Sequence, residues 1–528
     1  MIPRHFKLLL LGAAICAPIF SSAQKIKAPL PNWQNLDLKA DGQFGISTEK
    51  AYNELLKGKK HVPVVVAVLD AGVDIKHEDL KKIMWVNPKE TAANTTDDDK
   101  NGYADDVHGW SFLGSAKGSI QYDNLELVRQ IRLGQAKFAD PKNIAPTDKE
   151  AYKAYQKMVA ELQGKIDKAK ESSNNMLNVA LKFNSMVSKM GSRNPSKKQF
   201  ADYSPEDPAE TQLQKIALEN WGTGDFNNFM EEEIYGAMKH YREQLDYHFN
   251  INFDSRDTVG DNYADVNERN YGTGDAAGPA PDHGSHVAGI IAAVRDNDLG
   301  IKGVADDVAI MSVRTVPNGD ERDKDVANAI RYAAANGAKV INMSFGKGYS
   351  SNKTAVDDAV KFAMSKDVLI VHSAGNDGKD NDKEPGFPNK FYEDKSGEAA
   401  AWIEIGASGY IDDETLAAPF SNYGKNTVDV YAPGVKINST MPGSKYKEQD
   451  GTSMSAPVVS GLAALIRSYY PKLTALQVKE ILMKSAVKVD HKVTVKNGDG
   501  KRKVLFSDIC QTGGIVNAYE ALKLAATY

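Results

Sequence analysis

Residues 62–69 read VPVVVAVL and run directly into Asp70, Ala71 and Gly72. A run that is apolar at consecutive positions has no wet face, so it suits a strand covered on both sides, as in a parallel sheet. Polar groups at the carboxyl end of such a strand are where α/β sheets place their ligands. Asp70 holds that position. Working outward, residues 308–313, 339–343, 368–372, 402–406 and 428–431 read as further strands, and 325–336 as a helix between two of them. Strands alternating with helices predict an α/β fold, a three-layer α/β/α arrangement around a mainly parallel sheet.

The sheet pattern is interrupted over residues 113–254. Tyr152, Tyr155, Met158, Leu162 and Ile166 recur at helical spacing, as do Met176, Val179, Phe183, Met186 and Met190. Asp207-Pro208-Ala209-Glu210 has the order of a helix start, with an N-cap, proline at N1 and Glu at N3. Leu213, Ile216 and Ala217 continue its apolar face, and Ile234, Met238, Tyr241 and Leu245 form another stripe. These stripes predict a helical insertion of three to five amphipathic helices. The domain plan is a lead-in over 24–60, a first α/β segment over 61–112, the insertion over 113–254 and a second α/β segment over 255–528. In the lead-in, residues 47–56 read as a short helix capped by Ser47.

The N-terminus carries its own pattern. Arg4, His5 and Lys7 precede an apolar stretch at 8–20, which is shorter than the ~20 residues that span a bilayer. Ser21, Ser22 and Ala23 then offer small residues for cleavage before Gln24, so residues 1–23 read as a signal peptide. The expected destination is the periplasm or the medium, with no stable membrane insertion after the signal is removed. Of two cysteines, Cys16 would leave with the signal and Cys510 would remain, so no intrachain disulfide is expected. The formal net charge of −5 lacks the basic excess that a phosphate-binding surface needs, which argues against a nucleic-acid partner.

Three short segments carry the chemistry: Val68-Leu69-Asp70-Ala71-Gly72-Val73-Asp74, His283-Gly284-Ser285-His286-Val287-Ala288-Gly289 and Gly451-Thr452-Ser453-Met454-Ser455-Ala456-Pro457. A serine hydroxyl is a weak nucleophile until a base lies within hydrogen-bond reach and a carboxylate orients that base. The chain order is Asp, His, Ser. Chymotrypsin-like enzymes run His-Asp-Ser and α/β-hydrolases Ser-Asp-His. No Gly-x-Ser-x-Gly elbow is present.

In that order the segments resemble the three signatures of the subtilisin-like (S8, subtilase) serine peptidases. The resemblance implies a subtilisin-like fold and peptide-bond hydrolysis through an acyl-enzyme, with protein or peptide substrates and a propeptide or inhibitor as a further partner. By it Ser453 is the nucleophile at the start of a helix reaching 469, and His283 the general base at the head of a helix over 287–294. Asp70 orients the imidazole. His286 and Asp74 are assigned to structure. Residues 371–378 resemble the oxyanion-hole segment, with Asn376 as donor. Ser344, Phe345 and Gly346 resemble the strand that pairs with substrate backbone, and Ser373, Ala374, Gly375 and Gly386 the pocket for the P1 side chain. Asp377 lies at that pocket's mouth, and Pro388 matches a position often cis.

Residues 97–106 read DDDKNGYADD, with oxygen ligands at alternate positions and glycine sixth, as in a Ca2+ loop. Asp97, Asp99, Asn101, Tyr103 and Asp105 are the expected ligands of a structural calcium. His108 stands where an EF-hand has Glu, so the EF-hand pattern is incomplete. No organic cofactor is expected. Asp261-Asn262-Tyr263-Ala264-Asp265 is a second acidic loop, read as structural or as a second calcium site. The lead-in is too short for the folded propeptide usual in the family, which makes the insertion a candidate for that role. Two competing readings keep the fold: a ligase, against which Ser453 argues, and a pseudoprotease that binds a partner through the insertion.

Overall fold

The computed structural model describes residues 28–222, 224–498 and 500–528. The expected signal segment lies outside the described residues. The described residues form two compact units, one of residues 28–126 with 254–528 and one of residues 127–253.

The larger unit is built on a nine-stranded sheet. Its strands are β1 (Val64–Asp70), β2 (Gly109–Ser111), β3 (Val308–Arg314), β4 (Val340–Met343), β5 (Leu369–Ser373), β6 (Trp402–Ser408), β7 (Val430–Pro433), β8 (Val487–Lys488) and β9 (Gly514–Ile515). They lie in the order β8-β9-β7-β6-β5-β4-β1-β3-β2, parallel except for β8 against β9. All six expected strands are present, each within a few residues of its expected bounds. β1 pairs with β3 along its whole length, Val64 opposite Val308 and Asp70 opposite Arg314. Its other edge pairs with β4, ending at Leu69 opposite Met343. The chain leaves β1 for strands on one side and later crosses to the other. Asp70 therefore stands at the switch point where open α/β sheets open a crevice.

Both faces of β1 are covered. Val64, Val66 and Val68 pack in one core with helices α1 (Asp282–Ala292), α4 (Thr452–Tyr469) and α5 (Ala475–Lys484). Ala67 and Leu69 belong to another, with α2 (Asp323–Ala335) and α3 (Lys353–Ser365). Successive strand residues point to opposite faces, so valine at every second position feeds one layer and the intervening residues the other. The layers are helix, sheet, helix.

Three expectations change in detail. Segment 113–126 belongs with the sheet, because Phe112, Leu113 and Ile120 are buried in the same cluster as Val313 and Tyr332. Ser47 precedes a helix but does not cap it: its φ is 60° and its hydroxyl donates to Asp37 Oδ2 at 2.9 Å. Helix α1 begins at Asp282 and stops at Ala292, because Ala293 turns extended and its carbonyl accepts the N–H of Gly303. The lead-in packs into the same unit, with Trp33, Ile46 and Leu56 buried in its core.

The smaller unit is helical. The two stripes over 152–190 lie on one helix, Lys149–Lys189, followed by helices Lys197–Asp202 and Pro208–Asn220. Phe226–Phe229 leads through two π-helical turns and Gly236–Glu243 to His248. Asp207 caps as its sequence suggests, its carboxylate accepting from Glu210 N at 2.8 Å. Phe183, Phe200, Trp221, Phe226 and Phe229 form the core, with ring centroids 5.3–6.2 Å apart. No helix among the described residues is long and apolar enough to cross a membrane.

Candidate active site

Asp70 ends β1 and is buried, while its main-chain carbonyl accepts from Thr315 and Val316 N–H. One carboxylate oxygen accepts from Ala71 N at 2.7 Å. His283 sits in the first turn of α1, with Nδ1 2.7 and 2.9 Å from the two Asp70 oxygens. The next residue explains how the helix comes so close. A Cβ on Gly284 would lie 2.1 Å from Gly72 O and 3.2 Å from Asp70 Cβ, so only glycine lets α1 rest against the end of β1. His286, one turn on, is fully buried and hydrogen-bonds Lys447 O through Nε2 at 2.9 Å. Burial pushes its pKa down to about 3, so it stays neutral and structural. Asp74 is a loop carboxylate accepting the N–H groups of Lys76 and Gly443.

Ser453 is the second residue of α4 and is partly exposed. Pro457 lies four residues on and has no N–H, so the helical hydrogen bond to Ser453 O cannot form. The freed carbonyl accepts from Ser344 Oγ at 3.0 Å, and Ser453 Oγ donates to Ser344 O at 3.1 Å. Asn342 Nδ2 donates to Ser344 Oγ, and Ser460 Oγ to Asn342 Oδ1. This chain of bonds fixes the head of α4 to the end of β4.

Asn376 follows β5 and is exposed. Its Oδ1 accepts from both the N–H and the hydroxyl of Thr452, each at 2.9 Å. That orients the amide, so Nδ2 is turned away from Thr452. A Cβ built on Gly451 would lie 3.6 Å from both Asn376 Nδ2 and Ser453 N, so both nitrogens flank the Gly451 backbone. Thr452 is buried, also accepts from Gly375 N, and was not singled out by sequence. Its only signal was its place beside the serine.

Around these groups lie the expected substrate residues. Gly346 and Gly386 are exposed at either end of an antiparallel bridge between Lys347 and Phe387. Ser344 and Phe345 continue β4, while Ser373 ends β5 and Ala374 and Gly375 continue it; Gly375 is bonded to Thr452 as above. Phe345 contributes backbone here, its ring being buried in the core. The Phe387–Pro388 peptide is cis.

The acidic loop converges differently from its expected register. Asp97 and Asp99 come together with Glu90, their ligand oxygens within 4.8 Å of one another. Glu90 was missed, because it stands outside the run. Asp105 instead caps the N–H groups of Asn94 and Thr95, at 3.2 and 2.7 Å. The Asn101 side chain bonds Tyr103 N and Asp106. The Tyr103 phenol is buried against Trp110, Phe112 and Tyr332, and burial pushes its pKa up to about 12. Three carboxylates in one place form a hard oxygen donor set of the kind Ca2+ takes. In the second acidic loop, Asp261 is committed to Arg256 and Lys324 in a buried ion-pair cluster.

Residues 63–503 match the model of the Subtilase family, Peptidase S8, and the chain belongs to that family. A thermophilic serine proteinase of Bacillus sp. (strain AK1) is 42% identical over 187 residues, 35% of this chain and 42% of the relative. Subtilisin DY of Bacillus licheniformis is 37% identical over 206 residues, 39% of this chain and 70% of the relative. The chain thus spans less than half of the first relative. Among solved structures, a protease of Pseudoalteromonas arctica PAMC 21717 aligns at 27% identity and a TM-score of 0.39, covering 48% of this chain and 78% of that one.

Proposed function

We propose that the chain is an exported serine endopeptidase that cleaves peptide bonds through an acyl-enzyme on Ser453. The observation that carries this reading is the Asp70–His283 contact of 2.7 Å at the sheet's switch point. With Nδ1–H turned to Asp70, the Nε2 lone pair of His283 is left to accept a proton. Ser453 Oγ redirects its proton from Ser344 O to His283 as it attacks the scissile carbonyl. The tetrahedral oxyanion takes the Ser453 N–H and Asn376 Nδ2. His283 then gives the proton to the leaving amine, and water repeats the sequence to release the acid. Extended substrate pairs with the backbone of Ser344 and Gly346, and its P1 side chain enters between them and Ser373, Ala374, Gly375 and Gly386. Main-chain pairing of this kind admits many sequences.

Glu90, Asp97 and Asp99 would hold calcium, which would bind that loop together without entering the chemistry. Export rests on the pattern of residues 1–23, and N-terminal sequencing of the mature protein should begin at Gln24.

The test is turnover of denatured casein by the wild type beside Ser453→Ala. The variant should lose about 10⁴-fold or more of the activity. Equal activity in both would remove Ser453 from the mechanism.

A further inference from the structure

β4 and β5 pair from Val340 opposite Leu369 to Met343 opposite His372, and no further. Beyond that point β5 stays with β6, Ser373 opposite Ile405, while Ser344–Lys347 turns toward Phe387. The two chains part, and the P1 slot proposed above lies between them. Parting strips the Phe345 carbonyl of its ladder partner, because Ser344 O faces Ser453 and Phe345 O faces the other way. An orphaned buried carbonyl is costly.

His372 fills that place. Its Nε2 lies 2.8 Å from Phe345 O, and its Nδ1 2.9 and 3.0 Å from the Glu404 oxygens. Trp402 Nε1 donates to Glu404 Oε2 at 2.9 Å. A carbonyl can only accept, so Nε2 must carry a proton. Glu404 already receives the indole N–H on Oε2, and a proton lies between its oxygens and Nδ1. The ring packs 5.1 Å from Trp402, and both members of the pair are almost fully buried. A Cβ on Gly346 would come within 4.0 Å of His372 Nε2, which places the ring beside the Gly346 backbone, a wall of the proposed slot.

We propose that His372 and Glu404 are positioning residues for peptide hydrolysis, a buried imidazolium–carboxylate wedge that holds Phe345 and thereby sets the width of the P1 slot. This rests on the peptidase reading above. The charged groups acting on His372 are Glu404 on β6 and Glu321 in the segment after β3, while Asp429, paired with Lys390, holds the Glu404 N–H. Burial pulls the imidazole pKa down, but the charge and hydrogen bond of Glu404, with the Phe345 carbonyl, more than offset it, and the net shift is upward. The wedge is therefore complete below the ordinary histidine value and is lost as pH rises through the raised one.

The test uses the full chain and peptide anilides differing only at P1, Phe against Ala, between about pH 6 and pH 10. Wild type should show KM rising on the alkaline side. In His372→Leu the Phe/Ala ratio of kcat/KM should fall about tenfold, as expected for one lost buried hydrogen bond. His372→Gln, which can still donate to Phe345 O, should keep that ratio within about threefold and lose the alkaline rise in KM. A folded His372→Leu with the wild-type ratio overturns the proposal, and so does an unchanged alkaline rise in His372→Gln. Histidine-selective ¹⁵N NMR of Ser453→Ala provides an arm independent of turnover. Two protonated nitrogens on His372 near pH 6.5, the ordinary histidine value, reduced to one in Ser453→Ala/Glu404→Gln, are expected; a neutral ring in the parent at that pH overturns the wedge. A wild type inactive on every anilide strikes the peptidase reading instead, and the NMR arm still decides the pair.

Discussion

Thr452 shows how much a neighbour of the proposed nucleophile contributes. Its N–H and hydroxyl both hold Asn376 Oδ1, and its oxygen also accepts Gly375 N–H, so one buried side chain orients the carboxamide and ties it to the loop after β5. Thr452→Val keeps the shape and the N–H but loses the hydroxyl. The amide then has one anchor instead of two. In the proposed reaction the donor matters most when charge develops on the substrate oxygen. Thr452→Val should therefore lower kcat about fivefold with KM nearly unchanged, as expected for about 1 kcal/mol of transition-state binding. Steady-state kinetics on one anilide check this. A rise in KM alone would show that Thr452 shapes the pocket rather than the donor.

The helices of residues 127–253 are held by a charge that their amphipathic stripes do not reveal. The Glu210 side chain has no solvent exposure, yet it accepts from Glu206 N at 2.9 Å, Tyr203 OH at 2.7 Å and Lys189 Nζ at 2.9 Å. These donors, the Glu206 N–H foremost, hold its pKa down to about 2. A carboxyl whose folded pKa is depressed stabilises the fold above its unfolded value and loses that contribution as pH falls through the folded one. The helical unit should therefore weaken between about pH 4.5 and about 2. Far-UV circular dichroism during acid titration should show this, with a shallower slope in Glu210→Gln. An identical slope in both would assign the acid lability to other groups.

Two units with separate cores, an aromatic cluster in one and two sheet-covering layers in the other, predict two cooperative melting events. Glu90, Asp97 and Asp99 belong to the larger unit. A chelator should lower only that unit's transition in differential scanning calorimetry, and added Ca2+ should restore it. A ligand that binds only the folded state stabilises it by mass action, so the shift should grow with free Ca2+. A chelator effect on neither transition would count against calcium at these carboxylates.

How much of this was legible in the sequence depends on how far apart the partners lie. Consecutive valines at 64–66 announced a strand buried on both faces, and the Asp207-Pro208-Ala209-Glu210 helix start is local by nature. Such features depend on the period of a strand or the geometry of one turn, both written within a few residues. The three motifs and their order also stood in the sequence. Asp70 meets His283 across 213 positions, however, and that meeting depends on β1 ending where α1 begins. Glu90 joins Asp97 and Asp99 only because the loop doubles back. His372 had no signal beyond one polar residue at the end of an apolar strand; its role exists only where β4 and β5 part and a carbonyl is left without a partner. The sequence by itself determined the layers, the motifs and the candidate nucleophile. The tertiary structure alone decided which acids converge and which way the Asn376 amide faces, because those depend on where separate strands end in space.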